Sequence, residues 1–291
     1  KIPYVGNGVM ASAIAMDKVS AKAIFRDAGL AVSQDEVISS SQWRDSRANC
    51  IERAAKLMKP DVFVKPARSG SSVGVSLVSS SDDLAAAIEL ALTHDEVAMV
   101  EKRVVGRELE CSVLETASGQ LKVSVAGEIV VTGRPFYDYE AKYLGAGADL
   151  IIPAPLTQKE TKQLQQAAEV AFRALNCNGL ARTDFFITAN GVVITEVNTM
   201  PGFTPISMYP ALFEASGIPY NELVEELIQH GVENSSKGEN LFYDIVSRIE
   251  KELISQIMTE CDNVQIKAAK RLGINRNTLH KKLKDYGLDE T

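Results

Sequence analysis

The chain has 291 residues, 45% of them hydrophobic and 24% charged, with a formal net charge of −7. That composition is ordinary for a soluble globular protein, and the length allows one large domain or two or three smaller ones. The acidic balance argues against nucleic-acid binding along the whole length, and no apolar run approaches the roughly 18 residues of a membrane-spanning helix.

No signal-peptide pattern opens the sequence. Cys50, Cys111, Cys177 and Cys261 are scattered without metal-ligand spacing, and read as reduced thiols of a cytoplasmic protein. His94, His230 and His280 are equally dispersed, which argues against a zinc site or a catalytic histidine. In chain order, Asp17 is placed to cap a helix from Lys18 to about Ala28, which Gly29 ends. Val62 to Val64 is a short apolar run that stops at Lys65-Pro66. Ser80 or Ser81 starts a helix through Leu84 to Leu92. Strand-like runs follow at Val97 to Val104, Glu108 to Leu114 and Lys122 to Val131. Thr157 and Glu160 form a capping box. The helix they open carries Leu164, Ala167, Ala168, Ala171 and Leu175 at helical spacing, and Gly179 lies just past its end. A helix from about Tyr220 to Gly231 closes this part. Strands and helices without strict alternation predict an α+β fold.

Two stretches carry chemistry. Phe185 to Thr188 and Val192 to Val197 flank Ala189-Asn190-Gly191, and Asn-Gly is a strong turn signal. Residues two apart on a strand face the same way, so Arg182 and Asp184 share a face, as do Glu196 and Asn198. If the strands pair, two carboxylates and an amide meet there, a donor set that suits Mg²⁺. Arg182 beside them could stabilise an anionic intermediate. A solvent-facing polar strip is the alternative for this pattern alone. The second stretch is Lys65-Pro-Ala-Arg-Ser-Gly-Ser-Ser-Val-Gly74. Its small residues allow a ligand to approach the backbone and an anion to rest on its N–H groups. It is not a Walker A loop, and a plain flexible loop is its alternative.

Composition changes at 234–240, a polar Gly/Ser-bearing linker. Beyond it the sequence reads as helix. No acidic residue stands at positions 263–284, whereas Lys267, Lys270, Arg271, Arg276, Lys281, Lys282 and Lys284 do. Ala268-Ala269, Leu272-Gly273-Ile274, Leu279 and Leu283 predict a helix, a tight turn and a second helix capped by Asn275. On that helix Arg276, Asn277, Thr278, His280 and Lys281 are the candidates for DNA contact. A solvated basic face is the alternative.

Residues 1 to about 233 closely resemble D-alanine–D-alanine ligases of the ATP-grasp superfamily. The resemblance rests on Met16-Asp-Lys18, the stretch from Lys65 to Gly74, Glu101-Lys102, Gly106-Arg-Glu108 and the run from Phe136 to Tyr143. Ala181 to Asp184 and the run from Glu196 to Pro210 complete it. It implies a two-lobed ATP-grasp fold, with the small lobe at 1–105 and the large lobe at 106–233. It also implies ATP-dependent joining of D-alanine to D-alanine through an acyl phosphate. ATP and a pair of Mg²⁺ ions would be needed, with Mn²⁺ an alternative. By matching motifs, Asp184, Glu196 and Asn198 are implied as metal ligands, and Lys18, Lys65 and Lys142 as phosphate-binding cations. Glu101 and Lys102 would face adenine, and Glu108 the ribose. Arg182 and the Gly202 N–H would form the oxyanion site, Ser207 and Met208 would contact the second D-alanine, and Ser71 with Tyr143 would order the lid loops. Tyr143 resembles the dipeptide-forming members, with D-serine an alternative second substrate.

The sequence begins where the middle domain of that family begins. The family's N-terminal domain supplies an acidic residue near the first D-alanine, so nucleotide binding is expected to persist where dipeptide synthesis is incomplete. An uncovered apolar face is expected as well. Residues 241–291 resemble a Fis-type helix-turn-helix. This implies DNA binding and a homodimer, with Leu241, Ile245, Ile249, Leu253 and Ile257 as a seam. A DNA-binding regulator, or an engineered fusion, whose ATP-grasp part binds nucleotide without turnover is the second reading.

Overall fold

The structure is a computed structural model that describes residues 4–59, 61–131, 148–204, 207–237, 241–261 and 263–288. Two compact units form, one over 2–234 and one over 235–291. The first contains two antiparallel sheets. The smaller has β1 (Asp35–Ser39), β2 (Val62–Pro66), β3 (Ser76–Val78) and β4 (Val97–Lys102) in the order β1-β4-β2-β3. The larger has β5 (Arg107–Glu115), β6 (Leu121–Val131), β7 (Ala148–Ile151), β8 (Leu180–Thr188) and β9 (Gly191–Asn198) in the order β7-β6-β5-β8-β9.

Each sheet buries a face against helices. Helices α3 (Ser40–Ala55) and α4 (Leu84–His94) cover the smaller one, where Ile38, Val62, Val64, Val100, Leu84 and Ile88 form the core. On the larger sheet the side chains split by parity. Leu109, Cys111, Val113, Ala181 and Phe185 point into a core shared with α1 (Val9–Met16), α2 (Lys18–Asp27) and α5 (Gln158–Ala174). Leu114 and Leu180 face the other way, toward α6 (Met208–Ala215) and α7 (Tyr220–Lys237), and pack with Tyr209, Phe213 and Leu223. Glu108, Glu110, Arg182 and Asp184 share this second parity, so these four side chains emerge on the face opposite the main core.

Local signals place the helices. Asp17 accepts from Ser20 N at 2.9 Å and caps α2. Thr157 and Glu160 cap each other's backbone at the start of α5. The amphipathic face of α5 buries Leu164, Ala168, Ala171 and Phe172. Leu164 and Phe172 each contribute about 1.5–3 kcal/mol by leaving water. Helix α1 packs through Ala11 and Ala15 but leaves Val9, Met10 and Met16 exposed. Helix α7 runs on to Lys237, so residues 234–237, expected as linker, are helical. The backbone there keeps its hydrogen bonding although the side chains turn polar. Helix α3 was not expected. Its sequence is polar and kinked at Ser46, and its start is fixed by a Ser39–Gln42 capping box.

Among its described residues the second unit forms the helices α8 (Leu241–Glu260), α9 (Gln265–Leu272) and α10 (Arg276–Asp285). Ile254, Cys261, Ala268, Ala269, Leu279 and Leu283 form its core. Gly273 turns the chain in the left-handed region (φ 69°), and Asn275 caps α10 by accepting from Thr278 N at 2.8 Å.

Candidate active site

The hairpin of β8 and β9 closes through a two-residue turn, Ala189-Asn190, with Thr188 paired to Gly191. The Asn-Gly pair therefore sits one place later than a turn centred on it. Asp184 lies directly opposite Glu196, and Arg182 opposite Asn198. This register requires a bulge at Thr195, because Phe185 pairs with Ile194. Ile194 and Val197 are three apart yet both point into the main core. The extra residue lets Glu196 and Asn198 emerge on the same face as Asp184.

Asp184 accepts from Arg182 Nε at 2.8 Å and Nη2 at 2.9 Å, and from Asn198 Nδ2 at 2.9 Å. Glu110 on β5 pairs with Asp184 in register and holds Arg182 Nε at 3.0 Å from Oε2. Burial opposes the charge of Arg182, but Asp184 and Glu110 outweigh it and hold the guanidinium well above its ordinary value. Glu110 is only 4% exposed and was missed in the sequence. The alternation of Glu108 and Glu110 with apolar neighbours was the available signal.

Lysines converge from two other elements. Lys18, the first residue of α2, donates to Ser69 O at 2.7 Å and lies 3.6 Å from Glu196 Oε2. Burial lowers its pKa, and the nearby Lys65 charge adds to this, against the pull of Glu196. Lys65 Nζ meets Glu101 Oε2 at 2.5 Å. Burial would lower Lys65, yet Glu101 raises it overall. Glu101 itself would be raised by burial, but Lys65 and Lys22 hold it down at about 2. Both of its oxygens are taken by lysines. The backbone of Lys102 bonds to Gln34 O and Ser33 Oγ. Glu108 is half-buried on the same face as Glu110.

The Ser/Gly loop is pinned at both ends. Arg68 N donates to Asp95 Oδ2 at 2.8 Å and its guanidinium pairs with the same carboxylate. Gly74, with φ +71°, lies so close to His94 and Pro66 that a Cβ would sit 2.6 and 2.9 Å from them. Between these anchors Ser71 and Ser72 both take positive φ (54° and 58°), a costly conformation for non-glycine residues. Lys142 and Tyr143 lie outside the described residues, so the pairing of Ser71 with Tyr143 does too.

The loop after β9 brings Gly202 and Ser207 together, since a Cβ on Gly202 would meet Ser207 Oγ at 2.7 Å. Ser207 Oγ accepts from Thr204 N at 3.0 Å and precedes the first turn of α6. The Met208 side chain is buried against Gly127. As to metal, Asp184, Glu196 and Asn198 give two carboxylates and an amide on one face, which fits a hard, oxygen-preferring cation. Among the described residues no group of three or more His, Cys, Asp or Glu is placed to hold a metal ion, so the amide of Asn198 is needed as the third donor here.

In the helical unit Arg276, Asn277, His280 and Lys281 are exposed along one face of α10, and Thr278 is half-buried with its hydroxyl on Asn275. Lys282 turns instead to Glu250 at 2.6 Å. The expected dimer seam divides. Ile257 packs into the unit's own core, whereas Leu253 is 48% exposed. The side chains at 241–249 lie outside the description.

Two antiparallel sheets with carboxylates, an arginine and lysines converging near a pinned Ser/Gly loop define an ATP-grasp protein. Residues 24–229 match the family described as D-ala D-ala ligase C-terminus. The chain belongs to that family. Residues 245–286 match the family described as bacterial regulatory protein, Fis family. A D-alanine–D-alanine ligase of Streptomyces griseus is 46% identical over 240 residues, 81% of this chain and 61% of that protein. One from Bacillus cytotoxicus is 45% identical over 245 residues, 84% and 67%. The chain thus spans about three fifths to two thirds of the curated relatives it matches. Among solved structures, the D-alanine-D-alanine ligase of Coxiella burnetii has a TM-score of 0.71 and 35% identity, covering 85% of this chain and 66% of that one. The VanG D-Ala:D-Ser ligase of Enterococcus faecalis has a TM-score of 0.71 and 33% identity, covering 79% and 65%. No described helix is long and apolar enough to cross a membrane.

Proposed function

We propose that the first unit binds Mg-ATP and joins D-alanine to D-alanine, and that the helical unit binds DNA. The observation that carries the ligase reading is the register of the hairpin, with Asp184 opposite Glu196 and Arg182 opposite Asn198. It supports Asp184, Glu196 and Asn198 as metal ligands. Mg²⁺, when bound, would neutralise phosphate charge. The chain's own residues then bind and orient. Lys18 and Lys65 attract the phosphates, with Lys142 as a third cation, and Glu101, Lys102 and Glu108 line the nucleoside side. The backbone of Lys102 and both oxygens of Glu101 have partners within the protein.

In the finer reading the γ-phosphoryl group passes to the carboxylate of one D-alanine, giving an acyl phosphate. The amine of a second D-alanine attacks that carbon, and inorganic phosphate leaves. Phosphoryl transfer needs charge neutralisation and positioning more than a protein nucleophile. Arg182, fixed between Glu110 and Asp184, is oriented to stabilise the oxyanion with the Gly202 N–H. Ser207 and the Met208 N–H, at the start of α6, suit the carboxylate of the second amino acid. Ser71 and Tyr143 are proposed to order the lid. D-serine is the alternative second substrate, and Mn²⁺ the alternative metal.

The test is phosphate release from Mg-ATP with and without D-alanine, with the dipeptide followed by mass spectrometry. D-alanine-dependent phosphate together with D-alanyl-D-alanine is the expected result. Nucleotide binding with neither product would favour the second reading, a DNA-binding regulator whose ATP-grasp unit binds without turnover. The exposed basic face of α10 favours that reading independently.

A further inference from the structure

Lys22 stands one helical turn after Lys18 on α2, whose Ala21 and Phe25 pack into the core of the larger sheet. At 1% exposure it is enclosed. Its Nζ crosses to the smaller sheet and meets Glu101 Oε1 at 2.6 Å and Asp35 Oδ1 at 2.9 Å. Those acids are direct partners across β1 and β4. Like charges so placed repel, and burial strengthens the repulsion. A buried ammonium between them removes it. Arg26 also pairs with Asp35, and the second oxygen of Glu101 holds Lys65. Lys18, on the same helix, reaches Ser69 O and Glu196.

We propose that Lys22 is a positioning residue for the nucleotide site: by fixing one oxygen of Glu101 it leaves the other to aim Lys65 at the phosphates, and it ties α2 to the smaller sheet. The proposal rests on the Mg-ATP reading above and deepens it. Without Lys22 both oxygens of Glu101 compete for Lys65, and Asp35 faces Glu101 with no cation between them. Lys65, already 2.5 Å from one oxygen, is then held by both, and its charge is turned further from a ligand. One helix would thus set both cations, Lys18 directly and Lys65 through Glu101.

Lys22→Met tests this with two measurements. In the nucleotide-free protein, the Glu101 carboxyl is titrated by carbon-13 NMR. The groups facing it are Lys22, Lys65, Asp35 and, farther off, Lys18. An upward displacement of the Glu101 titration is expected. Calorimetry with Mg-ATP should show affinity reduced about tenfold or more, as for loss of a charge-assisted contact. The KM for D-alanine should stay unchanged, and Lys22→Arg should restore most of the loss. A folded Lys22→Met protein with unchanged Mg-ATP affinity, or an unmoved Glu101 titration, overturns the proposal. Should Lys22→Met fail to fold, Asp35→Asn leaves both lysines on Glu101 and should keep Mg-ATP affinity within about threefold. A loss as large as that of Glu101→Gln overturns it. If the unaltered protein does not bind Mg-ATP while Lys22→Met still displaces the Glu101 titration, the nucleotide reading falls. The aiming role falls with it, and the ion network stands.

Discussion

Asp184→Asn probes the centre of the hairpin site. Asp184 accepts three hydrogen bonds, two from Arg182 at 2.8 and 2.9 Å and one from Asn198 at 2.9 Å. An amide keeps one acceptor oxygen and turns an N–H₂ group toward these donors. Each charge-assisted bond contributes about 1.5–3 kcal/mol. Glu110 still holds Arg182 Nε at 3.0 Å, so the guanidinium keeps one counter-ion. The net cost is therefore about 2–3 kcal/mol, below the ~3–5 kcal/mol of a fully orphaned buried charge. Trp43 is the chain's single tryptophan and belongs to the core of the smaller sheet. Its fluorescence reports on the first unit alone. With a slope of about 1–3 kcal/mol per molar urea, the midpoint should fall by about 0.7–3 M at constant slope. A midpoint within about 0.2 M of the unaltered protein would refute the clamp reasoning.

The other predictions concern acid stability, the loop and the tail. Glu101 is held at about 2, below its ordinary 4.5, so its contribution is complete above the unfolded value and is lost as pH falls toward 2. Glu101→Gln should flatten the stability–pH curve between those values, and an unchanged slope would contradict the network. Gly74→Ala should cost about 1–3 kcal/mol in thermal unfolding, because it meets positive φ and close contacts with His94 and Pro66 together. An equal melting temperature would mean that the loop end is not pinned. Lys281→Ala should lower the salt slope of DNA binding by about 1. A slope that does not move would remove Lys281 from the phosphate contacts.

Local chemistry made much of the fold legible. Asp17, Thr157 with Glu160, and Asn275 announce helix starts because a side-chain oxygen satisfies a nearby backbone N–H. The two-residue spacing of Arg182 with Asp184, and of Glu196 with Asn198, assigned each pair to one face. The sequence was silent where non-local pairing decides. Thr195 looks like any strand residue, yet its bulge brings Glu196 and Asn198 round to Asp184. Glu110 becomes part of the site only because β5 lies beside β8. Lys22 reads as a solvated helix lysine until β1 and β4 close over it. The polar helix at 40–55 has a weak apolar stripe, and burial of Trp43, Cys50 and Ala54 fixes it in place. In the tail, the regular spacing of Leu253 and Ile257 suggested one seam, but tertiary packing sends Ile257 inward.

The central claim is that Asp184, Glu196 and Asn198 hold the metal of a Mg-ATP complex. Calorimetric titration with ATP, in Mg²⁺ and in a chelator, on the unaltered protein and on Glu196→Gln, tests it most directly. The account predicts Mg²⁺-dependent binding that weakens by about tenfold or more in the variant. Binding that ignores Mg²⁺, or that is equal in Glu196→Gln, would contradict it.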